Sequence, residues 1–424
     1  MKIGFIGLPS PGHLNPMSAL ARQLQSRNHD VVLFSPPAGE SFARAAGLPF
    51  VPIAEKEFST EKVAEIFGIM SRIKGEEGLQ FTVNAVAELN EVKWRTLPDL
   101  LSSTGIDALV VDNYDFYGEI VPKRLGMPYA TVSNALHFDY SGYTPLCVYE
   151  WAHDNTPEAI KRNRQGVSKF TQMLIHSNRE LIAQAERAGI RANWEDPSSL
   201  FSDRLWITQC PQEFDFESSH WPEQFHCAGP FHDGKGRLDF PFPWDQLTGE
   251  PIVYASMGTL QNGNPDLFNT IAAALSKHKG LQLVLAIGNI LSPEQIGPVP
   301  KNAIVVNNAP QLELLKKASV CITHAGFNTV LEALTQGVPQ IAIPVTNDQP
   351  GVAARIAEKK TGKTTSLDGL DTSNLSALVD EVINNHIYRD NSRSIQKAIA
   401  KKNGLSVAAD LLERAFGLTP QPYL

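Results

Sequence analysis

The chain of 424 residues is long enough for two globular domains of ordinary size. Its hydrophobic fraction of 42% and charged fraction of 19% are typical of a folded globular protein and exclude a disordered one. The net charge of −8 argues against a nucleic-acid partner, and the sequence has no apolar run of the roughly 20 residues that a membrane-spanning helix needs.

The first residues predict the opening of a doubly wound α/β sheet. The stretch IGFIGLP is typical of a buried first strand rather than a signal peptide. Next, LNPMSALARQLQSR has apolar residues at helical spacing, with Asn15 as the expected N-cap and Pro16 as the first helical residue. DVVLFSP predicts a second strand. The intervening turn, GLPSPGH, lacks the G-x-G-x-x-G pattern, which argues against a nicotinamide-dependent dehydrogenase.

Further strands and two changes of composition divide the rest of the chain. IDALVVD, which ends at Asp112, and MPYATVSNA both predict buried strands, and a charged helical insertion follows them. Residues 233–250 are rich in Gly, Pro and charge, as a linker would be, and a second series of strands and helices begins at Pro251. The sequence therefore predicts a first domain over residues 1–232 and a second over residues 251–395.

The most informative stretch lies within residues 307–350. Val320 to Thr323 predict a buried parallel strand, and a helix is expected from about Asn328 to Gln336, ending before Gly337. The free N–H groups and positive dipole end at such a helix start suit a phosphate or diphosphate. Glu332 lies four residues after Asn328 on the same helix face, where it could accept hydrogen bonds from hydroxyl groups.

Several sub-motifs of this stretch occur together: Ala309-Pro310-Gln311, His324-Ala-Gly-Phe-Asn-Thr, Glu332, Gly337-Val-Pro339 and Asp348-Gln349. Their order and spacing resemble the donor-binding signature of the family 1 UDP-glycosyltransferases, which have a GT-B fold. VVDNYDFYGEIVPKRLGMPYATVSNAL, YASMGTLQNG and NDQPGVAARI are similar to the bacterial zeaxanthin glucosyltransferase-like branch. The resemblance implies two Rossmann-like domains that face a cleft, with residues 396–424 holding a helix that crosses back to the first domain.

The resemblance also implies a donor site in the second domain. His324 and the backbone from Gly326 to Thr329 would hold the diphosphate, without a metal or other cofactor, and Glu332 would accept both ribose hydroxyls. Asp348 and Gln349 would bind the sugar, with Gln349 favouring glucose. Asn308 replaces an aromatic residue common in relatives, so base binding would rest on the backbone near Ala309. The full predicted set is Gly258, Thr259, Ala309, Gln311, His324, Gly326, Asn328, Thr329, Glu332, Asp348 and Gln349.

His13 is the candidate general base and Asp112 its candidate partner. His13 follows the first strand, at the sheet edge where open α/β folds bind ligands, and the nearby helix start would help keep it neutral. Asp112 ends a buried strand at the same edge and could orient the imidazole. By position alone, His13 could instead cap the helix and Asp112 a turn, and Asp115 is a competing carboxylate. The family's Gly-His-x-x-Pro pattern, matched from Gly12 to Pro16, favours the catalytic interpretation.

The expected function is therefore inverting transfer of glucose from UDP-glucose to a hydroxyl of a lipophilic carotenoid, phenol or terpenoid. Aromatic and apolar residues in the variable stretches of the first domain are candidates for the acceptor lining, although the sequence predicts most of them to be core and does not indicate which ones face a cleft. They are Phe58, Phe67, Met70, Phe81, Phe138, Tyr140, Tyr143, Tyr149, Trp151, Phe170 and Met173. Two alternatives are a GT-B epimerase or phosphorylase and a non-catalytic helper protein on the same scaffold. Isolated cysteines favour a reduced cytoplasmic protein. A monomer is the default, and a carotenoid acceptor would imply contact with a membrane surface.

Overall fold

The computed structural model describes residues 1–418, and within them the chain forms two domains built on parallel sheets. The first sheet has the order β3-β2-β1-β4-β5-β6-β7. Its strands are β1 Lys2–Ile6, β2 Asp30–Ser35, β3 Phe50–Pro52, β4 Ala108–Asp112, β5 Tyr129–Ser133, β6 Trp206–Thr208 and β7 Phe225–Cys227. The accompanying helices are α1 Pro11–Gln25, α2 Glu40–Ala46, α3 Thr60–Met70, α4 Gly75–Thr104, α5 Ile120–Leu125, α6 Pro157–Ser177 and α7 Arg179–Arg187.

The second sheet repeats this design with six parallel strands in the order β10-β9-β8-β11-β12-β13. They are β8 Ile252–Ser256, β9 Gln282–Ala286, β10 Ile304–Val306, β11 Ala318–Thr323, β12 Gln340–Ala342 and β13 Gly362–Thr364. The helices that follow Pro251 are α8 Pro265–Leu275, α9 Gln311–Leu315, α10 Phe327–Thr335, α11 Gln349–Glu358, α12 Thr372–Asn384, α13 His386–Ala400 and α14 Gly404–Ala415. The predicted architecture of two doubly wound α/β domains is confirmed.

Each sheet reverses its strand order once, between β1 and β4 in the first domain and between β8 and β11 in the second. The strands at both reversals are almost completely buried, which explains why they appear in the sequence as unbroken apolar runs. Ligands of open α/β sheets bind at the carboxyl ends of such strands. The chain segments that leave β1, β4, β8 and β11 therefore define where to look for a site.

The last described helix, α14, packs on the first domain. Leu405 and Leu412 share one buried cluster with Leu20 of α1 and with the first sheet. An ion pair of 2.8 Å between Arg27 Nη1 and Glu413 Oε2 reinforces the contact.

Domain boundaries at 232, 250 and 395 stay a prediction, and residues 419–424 of the predicted final segment lie outside the described part. None of the helices within residues 1–418 is long and apolar enough to cross a bilayer.

The start of α1 differs from the prediction. The helix begins at Pro11 after Ser10, so Asn15 is not its N-cap and Pro16 lies inside it. Pro16 has no N–H to donate to the carbonyl of Gly12, four residues earlier. That carbonyl instead accepts a hydrogen bond of 2.7 Å from Nδ2 of Asn328 in the second domain. The proline therefore frees a carbonyl that joins the two domains.

Candidate active site

His13 and Asp112 lie in direct contact at the reversal point of the first sheet. His13 is in the first turn of α1, and Asp112 is the last residue of the neighbouring strand β4. Nδ1 of His13 lies 2.5 Å from Oδ2 of Asp112, while Oδ1 accepts from the backbone N–H of Tyr114 at 3.0 Å. Because a carboxylate can only accept, Nδ1 carries the proton and Nε2 is the nitrogen that could take one from a substrate.

The electrostatics of His13 differ from the sequence-based expectation. Burial acts to lower the pKa of His13, but the adjacent Asp112 carboxylate outweighs it, and the net pKa is raised above its usual 6.5. The expectation that the helix start keeps the imidazole neutral is therefore wrong in its net direction, because the Asp112 carboxylate is in direct contact with Nδ1 and favours the charged imidazolium. The basic form of His13 will prevail only above this raised pKa.

Asp115, the competing carboxylate, is held elsewhere. It forms a buried ion pair with Lys93 of α4, and both side chains are about 3% exposed. Burial raises the pKa of Asp115 despite the opposing charge of Lys93. Nothing in the sequence indicated that Lys93, one of several charged residues on a long helix, would pair with Asp115. It places a positive charge behind the His13–Asp112 pair and offsets part of the buried negative charge there.

In the second domain, the predicted phosphate residues gather at the carboxyl ends of β8 and β11. The ring of His324 lies between Gly258 and Gly326. A Cβ atom built on Gly258 would come 2.4 Å from the ring, and one built on Gly326 would come 2.3 Å from it. Burial lowers the pKa of His324 to about 4. His324 is therefore uncharged at neutral pH and could serve a diphosphate as a hydrogen-bond donor.

We expect Gly326→Ala to weaken UDP binding by about 10- to 100-fold, because a displacement of about 1 Å of a positioning group has effects of this size. Gly326 has φ −59°, which alanine tolerates, so the effect would come from the collision with His324 alone. Titration calorimetry with UDP would measure it. Gly297→Ala is the matched control, since its nearest atom would be 3.4 Å away. Unchanged UDP affinity in Gly326→Ala would remove His324 from the diphosphate site.

Asn328, at the start of α10, bridges the domains. In addition to its bond to the Gly12 carbonyl, its Oδ1 accepts from Nε2 of Gln209 at 2.8 Å. Gln209 follows β6 and was not predicted, because an isolated glutamine after a short strand carries no signal. The contacts bring the start of α10 against the start of α1, which carries His13. Two helix N-termini therefore meet in the cleft and make it favourable for an anion.

Glu332, which is predicted to accept hydrogen bonds from ribose hydroxyls, is 2% exposed and already has polar partners in the protein. Its Oε2 accepts a hydrogen bond of 2.6 Å from Nε2 of Gln311, which also lies 3.3 Å from Oγ1 of Thr329. Its Oε1 lies 2.6 Å from Nη2 of Arg237, in the predicted linker. The structure thus groups Gln311, Thr329 and Glu332, and it adds Arg237, whose position in a Gly- and Pro-rich stretch gave no indication of a site.

The predicted sugar-binding pair begins α11. Oδ2 of Asp348 accepts from the backbone N–H of Leu136 in the first domain at 3.0 Å. Burial raises the pKa of Asp348 to about 6. Oε1 of Gln349 accepts from the backbone N–H groups of Val345 and Thr346 at 2.9 and 3.1 Å. Asp348 therefore lies at the junction of the two domains, and Gln349 shapes the turn beside it.

The remaining two predicted donor residues, Thr259 and Ala309, lie on neighbouring loops. Thr259 is exposed in the turn after β8, where its carbonyl accepts from Nδ2 of Asn262 at 3.2 Å. Ala309 is partly buried just before α9 and packs against the cluster beneath β8. Both are accessible enough to meet a ligand, and their donor-binding role stays a prediction.

One group of possible metal ligands occurs among the described residues: His137, Cys210 and Asp215. Asp215 is already engaged by His137 Nε2 at 3.0 Å and by Arg355 Nε at 2.8 Å. Burial opposes ionisation of Asp215, but His137 and Arg355 outweigh it and hold its pKa well below the usual range. Burial raises the pKa of the Cys210 thiol far above its usual value. The group fits an ion pair between the domains better than a metal site.

A cavity of about 240 Å³ lies where α4 and α6 meet the loop before α11. Its walls are mainly apolar. The lining residues are Gly75, Glu76, Leu79, Val148, Tyr149, Lys169, Phe170, Met173, Thr346, Asn347 and Pro350. Lys169 and Glu76 form an exposed ion pair of 2.7 Å. The ring of Phe170 stacks on Phe138 with centroids 5.4 Å apart, so aromatic packing forms one wall.

Comparison with known proteins shows which family and fold the chain resembles. A family model described as "UDP-glucoronosyl and UDP-glucosyl transferase" matches residues 244–401. The zeaxanthin glucosyltransferase of Pantoea ananas is 27% identical over 99% of this chain and 96% of its own length. An uncharacterized UDP-glucosyltransferase of Bacillus subtilis, YdhE, is 34% identical over 93% of both chains. The solved structure of the calicheamicin glycosyltransferase CalG4 superposes over 98% of both chains with a TM-score of 0.74 and 22% identity.

Two doubly wound domains that face a cleft are the GT-B fold, and the superposition on CalG4 confirms that expectation. Identity of 34% over nearly the whole length shows the family as well. The chain belongs to the UDP-glucuronosyl and UDP-glucosyl transferase family and is a glycosyltransferase.

Proposed function

We propose that the protein transfers glucose from UDP-glucose to a hydroxyl group of a lipophilic small molecule and inverts the anomeric centre. The observation that carries this proposal is the His13–Asp112 pair at the edge of the first sheet, facing the start of α10 in the second domain. A base and an anion-binding helix start on opposite sides of one cleft suit a reaction in which a hydroxyl is deprotonated and a diphosphate departs.

The reaction would proceed in one displacement. Nε2 of His13 takes the proton of the acceptor hydroxyl as its oxygen forms a bond to the anomeric carbon. The bond from that carbon to the β-phosphate oxygen breaks, and UDP leaves with the electron pair. Asp112 stabilises the imidazolium that forms, because its carboxylate already contacts Nδ1. Attack opposite the leaving group gives a β-O-glucoside.

The donor would lie against the second domain. His324 and the N–H groups at the start of α10 would hold the diphosphate, and Glu332 would accept the ribose hydroxyls. Asp348 would bind the sugar, and its hydrogen bond to Leu136 supports a place for the sugar at the domain junction, near the base. No metal is required by this arrangement, since the helix start and His324 supply hydrogen bonds to the departing charge.

The acceptor would enter from the apolar cavity between α4 and α6. Phe170 and Met173 line it, and Asn347 and Pro350, beside Asp348, form its other side. A lipophilic alcohol could leave its apolar body there while its hydroxyl reaches towards the sugar. The similarity to zeaxanthin glucosyltransferases supports a hydroxylated carotenoid, and phenols and terpenoid alcohols share the same chemistry.

The experiment that tests the proposal is product analysis. The protein is incubated with UDP-glucose and, in turn, with zeaxanthin in detergent, a panel of phenols and a panel of terpenoid alcohols. We expect an acceptor glucoside whose anomeric coupling in the NMR spectrum is that of the β form. An α-glucoside would refute inversion. Conversion of UDP-glucose to another sugar without acceptor would instead favour the epimerase or phosphorylase alternative.

A further inference from the structure

A short segment of the predicted linker is fixed between the two domains. We call residues 232–238, which are the first six residues of that linker and the residue before it, the linker arm. Asp233 forms an ion pair of 2.6 Å with Arg22 of α1, in the first domain. On the other side, Nε2 of His232 lies 3.2 Å from Oγ1 of Thr335 in α10. The arm is therefore held on both sides rather than left free in solvent.

The linker arm places Arg237 on the carboxylate of Glu332. Nη2 of Arg237 lies 2.6 Å from Oε1, and the side chains are 25% and 2% exposed. The other oxygen, Oε2, accepts from Gln311, whose own Oε1 accepts from the hydroxyl of Tyr254 at 3.0 Å. Both oxygens of Glu332 thus have donors in the protein itself. An ion pair this buried offsets the cost of an otherwise isolated carboxylate.

We propose that Arg237 is a specificity-determining residue that competes with the ribose hydroxyls of the donor for Glu332. The inference rests on the proposed function, in which Glu332 accepts those hydroxyls. A ribonucleoside diphosphate must displace the guanidinium to use Oε1. A 2′-deoxyribonucleoside diphosphate offers one hydroxyl fewer and gains less from the displacement. Arg237 therefore lowers the advantage of ribose over deoxyribose at this site.

The competition has a defined thermodynamic form. Only the fraction of molecules in which Glu332 is free of Arg237 binds both hydroxyls, and the apparent Kd rises by the inverse of that fraction. Arg237 is one-quarter exposed, and the arm has its own contacts through Asp233 and His232. Its side chain can therefore swing away from Glu332 while the arm stays in place. Removing the guanidinium should therefore tighten ribonucleotide binding.

Titration calorimetry of the full chain with UDP and with 2′-deoxy-UDP tests the inference. In Arg237→Met we expect UDP to bind about 3- to 10-fold more tightly, whereas 2′-deoxy-UDP changes by about twofold at most. Lys235→Met is the matched control, since it removes a neighbouring charge and leaves the Arg237–Glu332 pair intact. It should leave both affinities unchanged.

A double-mutant cycle with Glu332→Gln separates competition from general damage to the arm. A neutral amide forms no ion pair with Arg237, so Arg237→Met should have no further effect on UDP binding in the Glu332→Gln background. Weaker or unchanged UDP binding in Arg237→Met alone would overturn the inference. Failure of the proposed function would appear separately, as absence of acceptor-dependent UDP release by the unaltered chain. If UDP itself failed to bind that chain, both proposals would be overturned.

Discussion

Replacement of His13 by alanine is expected to lower kcat/KM for the acceptor by about 10²- to 10⁴-fold, the usual contribution of a general base. The acceptor hydroxyl would then have to lose its proton to solvent. UDP binding should change little, because the predicted donor residues lie in the second domain. Initial rates of glucoside formation and calorimetry with UDP measure the two effects. His176→Ala, on the exposed face of α6, is the control that should leave both unchanged.

The pH dependence provides a second readout of the same residue. Nε2 accepts a proton only when the imidazole is neutral, so kcat/KM should rise with pH through the raised pKa of His13. In Asp112→Asn the carboxylate that raises this pKa is gone. The rising limb should therefore move to lower pH, and the plateau should fall. A limb that stays in place, or a fully active His13→Ala variant, would contradict the role of the pair.

Replacement of Asp348 by asparagine is expected to stabilise the empty protein while impairing transfer. Burial raises the pKa of Asp348 from its ordinary 3.8 to about 6. Above pH 6 the carboxylate is charged in both states, and the folded state bears a cost of about 3 kcal/mol. Below about pH 4 it is protonated in both states and the cost vanishes. The destabilisation therefore appears as pH rises through that interval, and Asp348→Asn should abolish it.

Urea unfolding at about pH 7.5 and about pH 4 would measure this difference. The variant should be more stable than the natural chain by up to about 3 kcal/mol at the higher pH and nearly equal to it at the lower. Asp368→Asn is the control, because that residue lies on the surface beside Lys74 and contributes little to stability. Glucoside formation should also fall in Asp348→Asn, because the proposed contact of Asp348 with the sugar would be weakened. If the variant and the unaltered chain had equal unfolding free energies at both pH values, the buried Asp348 carboxylate would not destabilise the folded state.

The sequence predicts the two sheets well because buried parallel strands have an unmistakable composition. IVYAS and ALVVD each have four apolar residues before a polar last residue, and in the structure both are fully buried central strands. The helix α10 is equally clear, since its start follows a Gly-containing turn and Gly337 lies just beyond its end. Apolar periodicity and glycine positions are local properties, so a local pattern is enough to find them.

The misplaced start of α1 has a physical cause. Proline is favoured at the first helical position, and Pro11 and Pro16 both qualify by composition. What allows Pro16 inside the helix is a hydrogen bond that the Gly12 carbonyl makes with Asn328, more than 300 positions away. No local rule contains that partner. The start of α1 is therefore predicted wrongly at the turn whose Gly12 carbonyl joins the two domains.

Several contacts of the site also depend on partners that are distant in the sequence and that no local pattern predicts. The order and spacing of the motifs predict His324, Glu332 and Asp348 as site residues, because neighbouring residues in the sequence determine where each lies on its turn or helix. Arg237 belongs to a linker in which Gly and Pro obscure any pattern, and its partner is set by how the arm lies on α10. Lys93 likewise meets Asp115 only when α4 packs beside β4. Partners of this kind follow from tertiary packing and not from spacing.

Acceptor-dependent release of UDP from UDP-glucose, measured on the unaltered chain and on His13→Ala side by side, tests glycosyl transfer with His13 as the base. We expect release that requires a lipophilic hydroxyl compound and that nearly disappears in the variant. Release without acceptor and at equal rates in both proteins would contradict glycosyl transfer by His13 and would indicate hydrolysis or isomerisation of the donor.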